Sequence, residues 1–539
     1  MSTAVSAAQA APTTNYINAK SGVWSWLSTT DHKRIGMLYL YSTLVFFVFA
    51  ALLAFLFRLE LFAPGVQYFG ADIYNRLITL HGISMIFLFI IPGIPAVFGN
   101  FFLPILIGAE DVSFPRLNLL SWYCFIVGAL LALVSVILGG VDTGWTFYVP
   151  YSLRTEQNIF VPMLAAFVLG WSSILTGLNF VTTVHRLRDR RMEWFKMPLF
   201  IWALYSTGWV QLLATPVIGI TLVMVMLEKF VGVAIFDPAR GGDPILYEHL
   251  FWIYSHPAVY IMILPAMGIV SEIIPTFSRK TIFGYKFIAY SSIAIAAIGS
   301  LVWAHHMFTS GMADMARVIF SFLTFFVAIP SAVKVFNWLA TMYRGSVKLE
   351  PPMVWTLMFI VLFTIGGLTG LYNGMLSIDI HIHDTSFVVA HFHYTMFGGT
   401  VVIFYAALLY WWPKMTGRMY NRKLATTLGG TFFIGFNLTY FPLFMAGIAG
   451  MPRRYADYLP RYEIYHKLST IGSWIMIASL LILLLHLFWS AKKGRKAVDN
   501  PWGGATLEWT TATPPVTLNF TGEPDLSRWA YEYPEEVEE

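Results

Sequence analysis

The chain has 539 residues, of which 57% are hydrophobic and only 12% charged, with a formal net charge of +5. A soluble protein of this length could not hide so much apolar surface, and the basic residues fall in short clusters between apolar runs, which excludes a nucleic-acid surface. The composition fits one large bundle in lipid.

The N-terminal stretch Met1 to Lys20 is rich in Ala and Thr and lacks a charged start followed by an apolar run, so it does not read as a cleaved signal peptide. From there on, apolar runs long enough to cross a bilayer follow one another at 36–57, 77–107, 118–141, 161–184, 198–227, 248–275, 283–307, 316–341, 353–375, 386–413, 424–448 and 468–490. The expected fold is an all-α integral membrane protein of about twelve transmembrane helices. They would form one domain over 36–490, between an N-terminal segment (1–35) and a C-terminal tail (491–539). An even number of crossings puts both termini on one side. The connections on that side carry about 21 Lys/Arg against about 9 on the other, so both termini are expected in the cytoplasm. The tail has Pro, Trp and acidic residues and no apolar span, which suggests an extended cytoplasmic cap. The single cysteine, Cys124, lies inside an apolar run; it excludes an internal disulfide and reads as a small core residue.

The chemistry is carried by histidines. Ligating side chains inside spans are costly in lipid, so each is a functional candidate. His81, His256, His305, His306, His391 and His393 lie in or at the ends of spans, with His383 at a span mouth, whereas His32, His185, His249, His466 and His486 read as solvated or snorkelling residues near the interfaces. His391 and His393 are two apart, so their rings leave opposite faces of one helix and could serve two large cofactors, or simply bond two neighbouring helices. His305 and His306 are adjacent and could converge on one ion if the helix end is slightly unwound; with His256 they make three imidazoles, a set suited to copper. Tyr260 stands four residues after His256, on the same helical face, although a proline-kinked span with a structural tyrosine would look the same. Lys334 lies inside an apolar run and needs a partner, a water chain or a route out to the interface.

Taken together, these segments resemble subunit I of the haem–copper oxygen reductases of the cytochrome c oxidase type. The likeness is carried by Leu80-His81-Gly82, Phe98-Gly99-Asn100, Gly108 to Asp111 with Phe114-Pro115-Arg116, Gly144-Trp145-Thr146, Val302 to Met307, Lys334-Val335-Phe336, His383-Asp384-Thr385, Val388 to Tyr394 and Pro452 to Tyr455. Asn500-Pro501-Trp502-Gly503 in the tail looks like bacterial members. The resemblance implies His81 and His393 as axial ligands of a low-spin haem, and His391 as the protein ligand of a high-spin haem; haem A is expected, although the protein ligands do not themselves distinguish A, B and O types. It implies His256, His305 and His306 around one copper ion, with Tyr260 joined to His256. Arg453 and Arg454 would neutralise haem propionates, Trp145 would lie near them, and Arg58 would contact the low-spin haem's periphery. His383 and Asp384 would hold magnesium with a ligand from another subunit, and Glu60 would belong to a calcium or sodium site. Asp111, Asn100 and Asn118 fit a D-type proton channel, and Lys334 with Ser331 a K-type channel. The implied partners are a subunit II carrying the copper centre that receives electrons, a subunit III, small subunits, cytochrome c, O2 and the lipid of a bacterial cytoplasmic membrane.

The main departure is at Ala258, where many relatives carry glutamate directly after the proline. Tyr254-Ser255-His256-Pro257 instead resembles a subgroup of type A oxidases in which a tyrosine hydroxyl stands in for that acid, so Tyr254 and Ser255 are expected to relay protons. A quinol oxidase is the first rival. Tyr74 to Leu77 precede His81 without a second nearby histidine, which favours cytochrome c. Tyr260 and Lys334 argue against a nitric-oxide reductase, and a twelve-span transporter would leave the histidines unexplained.

Overall fold

In lipid every backbone N–H and C=O has to be satisfied inside its own segment, so each apolar run closes into a helix. The computed structural model describes residues 14–533; the outer parts of the expected terminal segments, 1–13 and 534–539, lie outside the described residues. Eleven helices among the described residues are long and apolar enough to span a bilayer, and a twelfth apolar helix is shorter. In chain order they are α1 His32–Glu60, α2 Ala71–Leu106, α3 Pro115–Ile137, α4 Phe160–Leu187, α5 Leu199–Val231, α6 Pro244–Ser278, α7 Tyr285–Gly299, α8 Asp314–Met342, α9 Pro351–Gly374, α10 Ser386–Thr416, α11 Arg422–Ile448 and α12 Pro460–Lys493. The run expected at 283–307 is thus only partly α-helical. α7 stops at Gly299, and the chain reaches His305 and His306 in a tighter 3-10 turn, Trp303–Met307.

Local chemistry sets several helix starts. Asp31 caps α1 by accepting from the N–H groups of Lys33 and Arg34, and Pro115, Pro244 and Pro351 occupy first-turn positions where no N–H is needed. Two helices carry wide π turns: α2 at Ser84–Ile90 and Gly93–Gly99, and α10 at His393–Val401. Such turns are common where a side chain has to be re-aimed at a functional site; of the three, Ser84–Ile90 follows His81 closely and His393–Val401 begins at His393.

α6 and α10 run through the middle of the bundle and are largely buried, whereas α8 is mostly exposed and borders the outside. The two chain ends meet on one face: Asn15 pairs with Val516, and the Tyr16 hydroxyl donates to the Met415 carbonyl. The tail is more deeply built in than an extended cap. Trp502, Glu508, Trp509, Asn519 and Tyr531 are all buried, and Glu508 accepts from the Trp411 indole at 3.1 Å. The interfacial reading also fails for two histidines. His32 is fully buried, and His466 is 3% exposed and stacked on Tyr458, because polar partners from the tail and from α1 reach them. Cys124 is free and only partly buried, so it is not a core residue.

Candidate active site

One cavity of about 950 Å³ occupies the bundle centre, walled by α1, α2, α6, α8, α9, α10, α11 and α12. All six intramembrane histidines line it. Three of them share one arrangement. The Nδ1 of His81 lies 2.9 Å from the Ala50 carbonyl, that of His391 3.0 Å from the Gly366 carbonyl, and that of His393 2.8 Å from the Val389 carbonyl. A carbonyl can only accept, so each Nδ1 carries the proton and each Nε2 keeps its lone pair. This is the tautomer and the fixed orientation of a metal-binding imidazole.

The rings of His391 and His393 leave opposite faces of α10. His391 turns to α9, where Gly370 leaves room for it (a Cβ there would meet its Cε1 at 3.0 Å), while His393 stacks on Tyr440 of α11 at 4.2 Å. The two-residue spacing therefore does separate the rings as the helical geometry requires.

His256, His305 and His306 form a second cluster, with one ligating nitrogen from each all within 4.8 Å of one another. His256 Nδ1 and His306 Nε2 are 3.1 Å apart. Two nitrogens each about 2.0 Å from one ion would stand about 3 Å apart, so the separation fits a shared metal. The buried Nε2 of His256 has no partner. Thr324 of α8 lies 3.0 Å from His305 Nδ1, and Trp252 stacks on His306 at 3.8 Å; both fix ring orientation, and neither was singled out from the sequence. The Tyr260 ring lies 5.0 Å from that of His256 and is packed against Gly299, where a side chain would collide with it. A tighter 3-10 turn at Trp303–Met307, rather than the unwound helix end expected from the sequence, carries the two adjacent histidines to one point.

The rim on the side away from the chain ends is charged. Arg453 pairs with Asp384 at 2.8 Å, while Arg454 lies against Gly144 and lines the cavity, with no ion pair of its own among the described residues. Burial, and then its neighbour Arg453, lower the Arg454 guanidinium to about 10. The Arg454 guanidinium, free of an ion pair among the described residues, is thus left facing the cavity, where it suits an anionic group. Trp145 packs edge-on to Trp252 at the same rim. His383 Nδ1 is 2.7 Å from Asp379, a residue not singled out from the sequence; burial acts to lower His383, but the hydrogen bond and the charges of Asp379 and Asp384 carry it above its ordinary value. His383 and Asp384 are thus bonded to different partners, and within the described residues they gather no third ligand of the His/Cys/Asp/Glu type.

On α1, Arg58 bonds the His466 carbonyl at 2.7 Å and Thr470 at 2.8 Å, leaving its buried Nε–H unpaired at the cavity wall. Glu60 points elsewhere. Its carboxylate accepts the N–H groups of Gln67, Tyr68 and Phe69 at 2.7–2.8 Å, clasping the loop after α1.

The expected proton residues fall into two groups. Asp111 lies in the loop between α2 and α3, and burial pushes its carboxyl up to about 7. Asn100 and Asn118 are fully buried, with the Oδ1 of Asn100 and both amide atoms of Asn118 unpaired, as expected of groups that bond water. Beyond them the structure adds Tyr39, whose hydroxyl lies 2.9 Å from Ser121 and 3.0 Å from Ser172. On α6, Tyr254 and Ser255 are buried, and the Ser255 hydroxyl has no partner. In the second group, the Lys334 ammonium donates to Ser292 at 2.7 Å and to the Ile288 carbonyl at 3.1 Å, both on α7, so it stays inside the bundle rather than reaching the interface. Ser331, one turn earlier on α8, lines the cavity.

The family model described as Cytochrome C and Quinol oxidase polypeptide I matches residues 34–489. Cytochrome c oxidase subunit 1 of Thermostichus vulcanus is 42% identical over 95% of this chain and 93% of its own. The subunit 1 of Synechocystis sp. is 44% identical over 93% and 91%, and that of Bacillus sp. strain PS3 42% over 94% and 84%. A heme–copper terminal oxidase dimer solved by cryo-EM superimposes with a TM-score of 0.75 over 87% of this chain and 85% of its own, at 21% identity.

Proposed function

Because the chain belongs to the cytochrome c and quinol oxidase polypeptide I family, we propose a definite division of labour among its cavity residues. The chain is the catalytic subunit of a terminal oxidase, a multi-pass protein of a bacterial membrane that uses haem and copper and assembles with other subunits. In this reading His81 and His393 would hold the low-spin haem, His391 would hold the high-spin haem, and His256, His305 and His306 would hold copper. The observation that carries the assignment is the tautomer pattern: three imidazoles that line one cavity give Nδ1–H to main-chain carbonyls and so keep the Nε2 lone pair for a ligand.

When bound, the two irons and the copper supply electrons and an open coordination site for oxygen. The remaining steps belong to the chain. Arg453 and Arg454 at the rim near Trp145 would neutralise haem carboxylates, and the buried, unpaired Nε–H of Arg58 offers a donor that a polar substituent such as that of haem A would satisfy. Tyr260 delivers a proton next to the copper imidazoles, resupplied through Lys334 and Ser331. Asp111 takes protons from the cytoplasmic face, and Asn100, Asn118 and the Tyr39–Ser121–Ser172 hydroxyls hold the water that carries them inward. At Ala258 the chain has no acid, and Tyr254 with Ser255 completes the route for pumping.

Both termini lie in the cytoplasm, since the connections on their side carry the greater share of Lys/Arg. His383 and Asp384 bind magnesium together with a group from subunit II. Glu60 fits a calcium or sodium ion poorly, its oxygens being engaged by three main-chain donors, and we assign it to holding the 65–69 loop. Cytochrome c, through the copper centre of subunit II, is the electron donor, with subunit III and small subunits completing the complex. The test is oxygen consumption by the purified complex with reduced cytochrome c and with a quinol, alongside its reduced-minus-oxidised spectrum. Turnover with cytochrome c and bands of two haem environments are expected; turnover with quinol alone would overturn the donor, and absence of haem bands the whole reading.

A further inference from the structure

The reading of Asp111 as the proton intake leaves unexplained why a tail asparagine is buried beside it. Asn519 is 1% exposed and holds a left-handed backbone at φ 68°, a conformation asparagine tolerates better than most residues. Its side chain is fully used. Oδ1 accepts from the Lys33 ammonium at 2.7 Å, while Nδ2 donates to the Ala109 carbonyl at 2.8 Å and to His32 Nε2 at 3.0 Å. That last bond requires Nε2 to be the unprotonated nitrogen, which agrees with His32 Nδ1–H facing the Asn100 carbonyl at 2.7 Å. One amide therefore joins the start of α1, the loop that carries Asp111 and, through His32, the backbone of a channel asparagine on α2. Lys33, fully buried, is also held by the Thr517 carbonyl at 2.9 Å and by Asp31 at 3.4 Å.

We propose that Asn519 is a positioning residue for proton uptake: the tail asparagine clamps Lys33, His32 and the 109–110 backbone around Asp111 and so fixes the geometry and charge of the intake. The clamp rests on the intake reading above. The ionisable groups around the carboxyl are Asp31, His32 and Lys33 on or before α1 and Glu110 in its own loop, with Asp189 from the segment after α4 packed against Gly108. Burial raises Asp111 and the charge of Asp31 adds to this, whereas Lys33 opposes both. Lys33 is the group whose position Asn519 controls.

The experiment uses the intact complex in detergent, following proton uptake with a pH-indicator dye after oxygen is admitted to the reduced enzyme. Asn519→Ala and Asn519→Gly (the latter keeping the left-handed backbone easy) are compared with Asp111→Asn and with Tyr533→Phe, which loosens a separate tail anchor at Thr276. Haem spectra verify that each variant is assembled. Both Asn519 variants are expected to slow uptake about tenfold, the equivalent of one lost charge-assisted hydrogen bond, and Tyr533→Phe to leave it unchanged. Asn519→Asp neutralises Lys33 and adds a like charge, so it should move the alkaline limb of the uptake profile to higher pH. Wild-type uptake in both Asn519 variants with an unmoved profile in Asn519→Asp, while Asp111→Asn is slow, would overturn the clamp alone. Wild-type uptake in Asp111→Asn would overturn the intake reading and the clamp with it.

Discussion

Replacing Gly370 by alanine tests whether the orientation of His391 matters. The added Cβ would stand 3.0 Å from the imidazole Cε1, 3.7 Å from Nδ1 and 3.8 Å from Nε2. Carbon atoms settle at about 3.5–4.0 Å, so the ring has to retreat by about half an ångström. The Nδ1–H bond to the Gly366 carbonyl, now 3.0 Å, holds the ring in place and is strained by any such shift. Overpacking of this kind costs about 1–3 kcal/mol, and weakening the bond adds about 1 kcal/mol. Together these cost about 2–4 kcal/mol in the His391 geometry, about thirtyfold or more in occupancy or rate. The assay is CO binding to the reduced complex, which reports the haem with an open face, read against the total haem content. The low-spin spectrum should be retained while CO binding and turnover fall together. Full CO binding with wild-type turnover would refute the assignment of His391, since a core histidine bonding α9 has no reason to report there.

Two further predictions concern protons. Tyr254→Phe removes one hydroxyl from α6 where no acid is available, and should lower the number of protons pumped per electron and the turnover, leaving haem spectra unchanged; a wild-type ratio measured in vesicles would sink the relay. Because burial pushes Asp111 up to about 7, it is protonated below that pH and ionised above it. Uptake that needs its proton should therefore fall about tenfold per pH unit well above the midpoint, and Asp111→Asn should abolish that limb; an identical profile in the variant would contradict the role.

The gathering of six histidines at the bundle centre was legible in the sequence because few chemistries need six imidazoles in lipid, and the two-residue step at His391 and His393 already forces two faces. What orients those rings was not legible. The acceptors at Ala50, Gly366 and Val389 are main-chain carbonyls, which any residue supplies, and Gly370 matters only because it faces a ring across two helices. Tyr39, Ser121 and Ser172 were overlooked for a related reason: isolated hydroxyls in apolar helices usually bond their own preceding turn, and only the packing shows that these three meet. His32 and His466 were misplaced at the interface because the groups that bury them are hundreds of residues away in sequence. The tail's insertion shares that cause, since its anchors, Asn519 to His32 and Tyr531 to Glu272, are long-range pairs with no local pattern.

The most direct test of the account is a pair of variants, His391→Ala and His81→Ala, each examined for haem content, CO binding and copper. His391→Ala should lose the CO-binding haem and keep a low-spin haem, and His81→Ala should do the reverse, with copper following His256, His305 and His306 instead. If both variants lost the same haem, or if neither changed the CO-binding signal, the division of labour between the two faces of α10 would be wrong.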